Sequence, residues 1–140
     1  MSFRKHYIEA HNDVLCKLAP SPIHGVGVFA IKDIPADTVI FRSDTAYDEV
    51  DIKILNRIPK EVAELYSSLF IYDDESIWIP KNGVNSVDIS FYINHSVEPN
   101  LKYDLENDLF VSKISISKNT ELTFDYRSLG INTVGNNGIF

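Results

Sequence analysis

The sequence predicts a mainly β fold with short helices, formed by a single domain that spans residues 1–140. Three observations support this fold class. Short apolar or β-branched segments alternate with proline, glycine, asparagine and aspartate along most of the chain, a pattern typical of strands joined by tight turns. One stretch, residues 48–69, has the period of amphipathic helices instead. The chain has 140 residues, 44% of them hydrophobic, which is enough to bury one core.

The N-terminal part of the chain predicts a meander of three strands. Val14, Cys16 and Leu18 lie on one face of the first strand, since side chains alternate between the two faces. Residues 26–30 form a short apolar run, and residues 38–41 are β-branched or aromatic. The prolines and glycines between these segments predict the turns that connect them.

The middle of the chain predicts a helical insert at about residues 48–70, made of two short helices. Their apolar positions are Val50, Ile54, Leu55 and Ile58, then Val62, Leu65, Tyr66 and Leu69. Pro59 suits the first turn of the second helix, where its missing N–H would be unpaired anyway. Further strands are predicted at about residues 77–79, 101–105, 109–111 and 122–126. The final residues 130–140, with three glycines and three asparagines, show no period.

Composition restricts the classes of function. The chain has 13 Lys and Arg residues against 20 Asp and Glu residues, and the net charge of −7 disfavours direct nucleic-acid binding and favours cationic partners. The single cysteine, Cys16, excludes an internal disulfide and a multi-cysteine zinc site, so we predict no metal centre and a reducing, intracellular location. No apolar run approaches the ~18 residues of a membrane span, and no signal peptide is recognisable, so we expect neither membrane insertion nor secretion.

Three segments combine glycine or polar residues with short strands, and each has a structural as well as a functional interpretation. In residues 25–29, two glycines precede an apolar strand, which suits either the close approach of a ligand or a plain turn. Residues 91–100 lead from aromatic residues into an Asn-His-Ser group, which could bind a ligand or could cap a turn. In residues 121–126, Tyr126 is either a functional hydroxyl or an aromatic residue of the core.

Together and in this order, the three segments resemble the SET domain of protein-lysine methyltransferases. The family pattern contains a Gly-x-Gly turn, then Asn-His-Ser-x-x-Pro-Asn, then Glu-Leu-Thr-x-x-Tyr, and residues 25–27, 94–100 and 121–126 match these motifs. The resemblance covers about residues 14–126. It implies a pseudoknotted, β-clip-like fold of several small sheets, in which the second and third motifs meet in one site. The helical insert then takes the place of the family's variable insert, which helps to form the substrate groove.

The resemblance also implies S-adenosylmethionine as the cofactor and a lysine of a protein as the methyl acceptor. The backbone of the glycine turn would bind the amino-acid end of the cofactor, and the Asn-His pair would hold its methionyl and adenosyl parts. The implied cofactor-binding residues are Gly25, Val26, Gly27, Phe29, Asn94 and His95. Tyr126 is the implied catalytic residue, and Phe124, Tyr92 and Phe140 are the implied residues of the substrate channel. Phe124 stands where other members have Tyr or Phe, and the missing hydroxyl favours a second or third methyl group.

Several positions depart from the family pattern. Phe91-Tyr92 stands where many members have Arg-Phe, so one polar contact near the cofactor is absent or replaced. Asp37 and Asn119 stand in turns where glycine is common, and both residue types tolerate a left-handed backbone. Residues 127–140 lack the cysteine-rich zinc module of many histone-directed members. We expect this tail to close the site, or a second subunit of a homodimer to complete it.

The resulting hypothesis is a methyltransferase that acts on a basic, lysine-containing protein or peptide in the cytoplasm or nucleus, with histones among the candidates. The alternative is a catalytically silent SET-like module that binds a peptide or the cofactor; a third hypothesis is methylation of arginine or an N-terminal amine. The presence of Asn94, His95 and Tyr126 argues against the silent module, since a module released from catalysis need not keep them. Neither the substrate protein nor the number of methyl groups follows from the sequence.

Overall fold

A computed structural model of the chain describes residues 11–42, 46–129, 133 and 134. Within this part of the chain there are eleven short strands, one α-helix and five 3-10 helices. The strands are β1 (Cys16–Pro20), β2 (Val26–Ala30), β3 (Val39–Arg42), β4 (Tyr47–Asp51), β5 (Ile71–Tyr72), β6 (Ser76–Pro80), β7 (Asn94–His95), β8 (Leu101–Asp104), β9 (Leu109–Ser112), β10 (Glu121–Phe124) and β11 (Thr133–Val134). The α-helix, α1, is Lys60–Leu69, and the 3-10 helices are His11–Asp13, Ile52–Asn56, Gly83–Ser86, Ile89–Tyr92 and Tyr126–Leu129.

The strands form three small sheets with the orders β1-β2-β10-β7, β11-β5-β6-β4 and β3-β9-β8. The pairs are antiparallel except for β7 and β10, which are parallel. The first sheet therefore joins the two N-terminal strands to two strands from the second half of the chain. The predicted fold class, mainly β with several small sheets and short helices, is confirmed.

The β1–β2 hairpin shows why a glycine is needed in the first motif. The two strands are antiparallel, with Pro20 opposite Val26 at the turn. The turn closes with a backbone hydrogen bond of 2.8 Å from the Ser21 N–H to the Gly25 oxygen. Gly25 has a φ of +46°, in the left-handed region that residues with a Cβ disfavour. The predicted glycine turn before an apolar strand is therefore present.

The main core combines apolar residues of the first and third sheets with residues of the loops between them. Its buried residues are Cys16, Val28, Ala30, Ile34, Ile40, Ile93, Leu101, Ile116, Leu122, Phe124 and Tyr126. Removal of this apolar surface from water is the main source of stability. Because Tyr126 and Phe124 belong to this core, the residues of the candidate site are held by the same packing that stabilises the fold.

The start of the insert differs from the prediction. The prediction of a helix from residue 48 is wrong for residues 48–51, because Tyr47–Asp51 forms β4 and pairs with β6. The carboxylate of Asp51 accepts a 2.8 Å hydrogen bond from the Lys53 N–H and so caps the 3-10 helix Ile52–Asn56. Pro59 is the N-cap residue of α1 and not its first helical residue. The two predicted short helices are present after β4.

The prediction that Tyr126 continues the last strand of the first sheet is also wrong. That strand, β10, ends two residues earlier, and Tyr126 begins the last of the 3-10 helices. The Asp125 carboxylate accepts from the Arg127 N–H at 3.1 Å, and the Asp125 backbone oxygen accepts from the Ser128 N–H at 3.0 Å. These local hydrogen bonds turn the chain, so a turn and not strand alternation directs the Tyr126 side chain.

The predicted N-terminal meander of three strands is wrong, because β3 pairs with β9 in the third sheet and not with β2. Asp37 and Asn119 have φ values of +59° and +70°, so both adopt the left-handed backbone expected of them. Part of the tail pairs as β11 with β5, while Phe140 lies outside the described residues and closure of the site stays a prediction. Within the described ranges no helix has the length and hydropathy needed to span a membrane.

Candidate active site

The side-chain amide of Asn94 joins the glycine turn to the second and third motifs. Asn94 is only 1% exposed and lies opposite Thr123 in the parallel pairing of β7 with β10. Its Nδ2 donates to Glu121 Oε1 at 2.8 Å and lies 3.1 and 3.3 Å from the backbone oxygens of His24 and Val26. Three motifs that are far apart in sequence therefore meet at one buried amide.

The two glycines of the first motif meet different requirements. At Gly25 the positive φ is the constraint, and a Cβ built there would meet no atom within 4 Å, so open space lies over the turn. At Gly27 the constraint is room, because a Cβ would lie 2.1 Å from Glu121 Oε1. Val26 is exposed, and Phe29 is half-buried opposite Glu121 in the β2–β10 pairing. Their roles toward a cofactor stay predictions.

His95 contacts the start of the last 3-10 helix. Its Nδ1 accepts a hydrogen bond of 3.4 Å from the Tyr126 backbone N–H, which assigns the proton of the neutral imidazole to Nε2. Burial lowers the pKa of His95. The Asp125 carboxylate, 3.8 Å from Nδ1, partly raises this pKa, and the Arg127 guanidinium lowers the pKa again. The neutral form of His95, which can accept this hydrogen bond, is therefore favoured.

Arg127 fixes the carboxylate that faces His95. Arg127 Nε donates to Asp125 Oδ1 at 2.9 Å, and Nη2 donates to Oδ2 at 2.8 Å. This fork-shaped pair lowers the pKa of the Asp125 carboxyl. Because the pair is exposed, we expect it to add little to the free energy of unfolding. Its effect is to keep a negative charge beside the imidazole.

The hydroxyl of Tyr126 is buried and hydrogen-bonded. The residue is 5% exposed, and its hydroxyl donates to the backbone oxygen of Ile93 at 2.8 Å. Burial, and to a smaller extent the phenol of Tyr47, raise the pKa of Tyr126 above its ordinary value. The hydroxyl therefore stays protonated at physiological pH and serves as a hydrogen-bonding group and not as a base.

Phe124 belongs to a group of aromatic rings beside Tyr126. The Phe124 ring lies edge-on to the rings of Tyr126 and Phe110, with centroid separations of 5.1 and 5.3 Å. Tyr103 lies 6.4 Å from Phe124, and Phe124 is only 2% exposed. Edge-to-face rings of this kind pack closely and exclude water. The structure thus brings Phe124 next to Tyr126, where the resemblance implies a channel.

The neighbours of the second motif are also aromatic. Tyr92, predicted in the channel, ends a 3-10 helix and is half-buried against the core. Phe91, at the position of the family's arginine, lies 6.2 Å from both Phe70 and Tyr47, measured between ring centroids. Phe91 therefore makes aromatic contacts, and its effect on a polar contact near the cofactor stays a prediction. The third predicted channel residue, Phe140, lies outside the described residues.

A cavity of about 360 Å³ lies next to these rings. It is lined by Val97, Pro99, Leu101, Tyr103, Leu105 and Leu129, together with Phe124, Asp125, Ser128 and two lysines. Of the predicted site residues that the structure describes, Phe124 lines the cavity, whereas Asn94, His95 and Tyr126 do not. The cavity is therefore adjacent to the meeting point of the motifs and does not contain it.

Sequence reasoning misses three residues of the site. Ser21 and Glu121 bond to Asn94 Nδ2, and Tyr47 influences the hydroxyl of Tyr126. Glu121 could have been found from its place in the third motif, whereas Ser21 stands between two prolines and has the pattern of a turn residue. For Tyr47 the sequence offers no signal, because its position depends on the pairing of β4 with β6.

The comparisons with known proteins identify the family. The SET-domain family model matches residues 25–127, which include all three motifs. The chain therefore belongs to the SET-domain family, and its fold is that of SET-type methyltransferases. In the structural comparison 199 chains match. One of them, from Plasmodium falciparum and described as a "putative histone methyltransferase", has a TM-score of 0.48 and 17% identity, over 80% of this chain and 92% of that chain. The comparison with curated proteins finds no match.

Proposed function

We propose that this chain transfers a methyl group from S-adenosylmethionine to the side-chain amine of a lysine in a protein. Membership of the SET-domain family supports the reaction class. The observation that carries the proposal is the buried, neutral hydroxyl of Tyr126, which lies among aromatic rings where the second and third motifs meet. This arrangement suits the positioning of an uncharged amine.

The glycine turn fits the amino-acid end of the cofactor. Open space lies over Gly25, and the surrounding backbone is held by the Asn94 amide, so a ligand can approach the main chain closely. Gly25, Val26, Gly27 and Phe29 would hold the amino-acid end, and Asn94 and His95 would hold the methionyl and adenosyl parts. S-Adenosylmethionine would supply an electrophilic methyl group bonded to a sulfonium sulfur.

The acceptor amine must lose a proton before it can react. A lysine amine with a pKa of about 10.4 is charged at pH 7, and its deprotonation there costs roughly 4.6 kcal/mol. Burial favours the neutral form of such an amine, because a low-dielectric site penalises the charge. The rings of Phe124 and Tyr126 would provide this environment. Alignment and desolvation would then supply most of the rate acceleration.

Tyr126 would orient the amine. Its hydroxyl proton is donated to the Ile93 oxygen, so its own oxygen can accept a hydrogen bond from an amine N–H. The amine, having lost its proton to solvent, would form the bond to the methyl carbon with its lone pair, and the electrons of the broken carbon–sulfur bond would remain on the sulfur. Because burial raises the pKa of Tyr126, the residue would position the amine and would not remove its proton.

Charge favours a basic protein as the partner and disfavours nucleic acid, given the net charge of −7. β4 contributes exposed carboxylates from Glu49 and Asp51, and the turn before β6 contributes those of Asp74 and Glu75. Asp73 in the same turn accepts hydrogen bonds from two backbone N–H groups and so stabilises the turn. An intracellular location and a second subunit stay predictions.

The test is transfer of labelled methyl from S-adenosylmethionine to a panel of basic proteins that includes histones and ribosomal proteins, with mass spectrometry of the products. Three proteins are compared: the wild type, Tyr126→Phe and Tyr103→Phe. Tyr103→Phe is the matched control, since it also removes a phenol hydroxyl. The hydroxyl of Tyr103 bonds to Asp108 on the exposed β8–β9 hairpin. We expect label on lysine with the wild type and the control, and a loss of about 100-fold with Tyr126→Phe.

Other outcomes would contradict the proposal in distinct ways. Label on arginine or on an N-terminal amine would assign a different acceptor. Binding of the cofactor without transfer to any protein of the panel would favour the silent module. Equal transfer by the wild type and Tyr126→Phe would remove Tyr126 from the mechanism.

A further inference from the structure

The hydroxyl of Ser21 lies at the centre of a hydrogen-bond group that the proposed mechanism does not use. Ser21 Oγ donates to Glu121 Oε1 at 2.7 Å, across 100 positions of sequence. The same oxygen accepts hydrogen bonds from the backbone N–H groups of Ile23 and His24, at 3.0 and 3.3 Å. Asn94 Nδ2 also lies within hydrogen-bonding distance of this oxygen, at 3.1 Å, so three N–H groups share its two lone pairs. A single hydroxyl thus contacts the glycine turn, β7 and β10.

The carboxylate of Glu121 closes this group. Its Oε1 accepts from Asn94 Nδ2 at 2.8 Å as well as from Ser21. The carboxylate packs against the backbone at Gly27, where no side chain occupies the space. A Cβ at Gly27 would lie 2.1 Å from Oε1 and 3.0 Å from the Ser21 Cβ. Ser21, Asn94 and Glu121 form a triangle with sides of 2.7, 2.8 and 3.1 Å.

The chemistry of the triangle permits one orientation of the Asn94 amide. The Ser21 proton is used by the carboxylate, so its oxygen offers Asn94 only lone pairs. The Glu121 carboxylate and the backbone oxygens of His24 and Val26 are acceptors as well. A flipped amide would place Oδ1 against four acceptors, which is repulsive in a buried site. Three of these acceptors set the orientation of the amide, and Ser21 adds the contact that joins the amide to both the turn and the carboxylate.

We propose that Ser21 is a positioning residue of the cofactor site: its hydroxyl holds the glycine turn, the Asn94 amide and the Glu121 carboxylate in the arrangement that binds the amino-acid end of the cofactor. The inference rests on the proposed function and concerns a residue outside the three family motifs. Ser21 acts through the shape of the turn before any reaction begins. Its loss should therefore weaken cofactor binding and leave the chemical step nearly unchanged.

The test measures binding of S-adenosylmethionine and S-adenosylhomocysteine to the full chain by calorimetry. Ser21→Ala should weaken both affinities about tenfold and raise the cofactor KM, with kcat at saturating cofactor within about twofold of the wild type. Ser21→Thr keeps the hydroxyl and should retain affinity within about threefold. The matched control is Ser68→Ala, which removes an exposed hydroxyl that bonds to the Leu65 oxygen within α1 and should change nothing.

A second readout follows the Asn94 side-chain amide by NMR in the protein without cofactor. Ser21→Ala should shift the Asn94 Nδ2 signals and speed hydrogen exchange at the backbone amides of Ile23 and His24, which lose their acceptor. In a Glu121→Gln background the effect of Ser21→Ala on affinity should fall below about threefold, because the two residues act through one contact.

The outcomes separate this inference from the proposed function. Tight cofactor binding by Ser21→Ala, or a loss that Ser21→Thr does not restore, would overturn the role of the hydroxyl while the proposed function stands. Weaker binding with unchanged Asn94 signals would show that Ser21 does not act through the amide. Failure of the wild type to bind either ligand would overturn the proposed function, and the cofactor role of Ser21 with it.

Discussion

The hydroxyl of Tyr126 donates a 2.8 Å hydrogen bond to the backbone oxygen of Ile93, the residue that precedes Asn94. The third motif is thereby bonded directly to the start of the second. Ile93 is fully buried, so the bond lies where water has little access. The residue with the proposed catalytic role thus also contributes to the fold, and both contributions can be measured.

Tyr126→Phe should lower the free energy of unfolding by about 1 kcal/mol, since it removes one donor from a buried oxygen and keeps the ring in the core. Urea unfolding followed by circular dichroism measures this change. Tyr103→Phe, the control, should change stability by less than about 0.5 kcal/mol, because its hydroxyl is exposed. A loss above about 3 kcal/mol for Tyr126→Phe would mean that lost activity reports misfolding.

The glycines of the first motif should respond differently to alanine. Gly25→Ala should cost about 1 kcal/mol because of its positive φ, and no neighbouring atom is displaced. Gly27→Ala should cost about 2 kcal/mol, because the new Cβ must displace the bonded Glu121 carboxylate. Glu121→Ala should then cost less in the Gly27→Ala background than in the wild type. Equal costs in both backgrounds would contradict the proposed steric conflict.

His95 should titrate below its ordinary pKa of 6.5, because burial penalises the imidazolium. Between about pH 6.5 and the lower folded pKa, the unfolded chain binds the proton more readily than the folded chain. The contribution of His95 to the free energy of unfolding is therefore constant above about pH 6.5. It falls as the pH decreases from about 6.5 to the pKa of His95 in the folded chain. NMR titration of the imidazole C–H signals measures the pKa, and urea unfolding at several pH values measures the stability.

Two substitutions should shift the pKa of His95 in opposite directions. Asp125→Asn should lower it further, since the attraction of the carboxylate is lost while Arg127 remains. Arg127→Gln should raise it, since the repulsion of the guanidinium is lost. Shifts of the same sign would show that one substitution rearranges the Asp125–Arg127 pair.

Asn100, the last residue of the second motif, should be important for stability. Its side chain bonds to two backbone groups of β10. Nδ2 donates to the backbone oxygen of Glu121 and Oδ1 accepts from the backbone N–H of Thr123, both at 2.8 Å. Asn100→Ala should cost about 2 kcal/mol, because two partly buried backbone groups lose their partners. Asn107→Ala is the matched control, since its amide makes an exposed hydrogen bond to Asp104, and it should cost less than about 0.5 kcal/mol.

Phe124→Tyr should change the product, given the proposed function. A hydroxyl added beside Tyr126 could hydrogen-bond the amine or a water, and so should favour fewer methyl groups on the lysine. Mass spectrometry of the labelled peptide gives the distribution of products. Phe110→Tyr is the control, because it adds a hydroxyl to a ring that packs edge-on against Phe124. It should leave the distribution of methylated products unchanged.

The successful predictions depend on local chemistry. The strand at residues 26–30 and the left-handed turns at Asp37 and Asn119 follow from residue types that act over a few positions. The helix predicted across residues 48–51 failed for a non-local reason. Those residues pair with β6, and this pairing across the sheet outweighs a helical period supported there by Val50 alone.

The family, the motif residues and the chemistry of their side chains follow from residue type and order, and they can be read without a structure. The hydrogen-bonded group of Ser21, Asn94 and Glu121 and the bond from Tyr126 to Ile93 are visible only in the folded chain. The partners in these contacts are 27 to 100 positions apart. Short-range preferences do not determine such contacts, since they form only when the packed sheets bring distant segments within hydrogen-bonding distance.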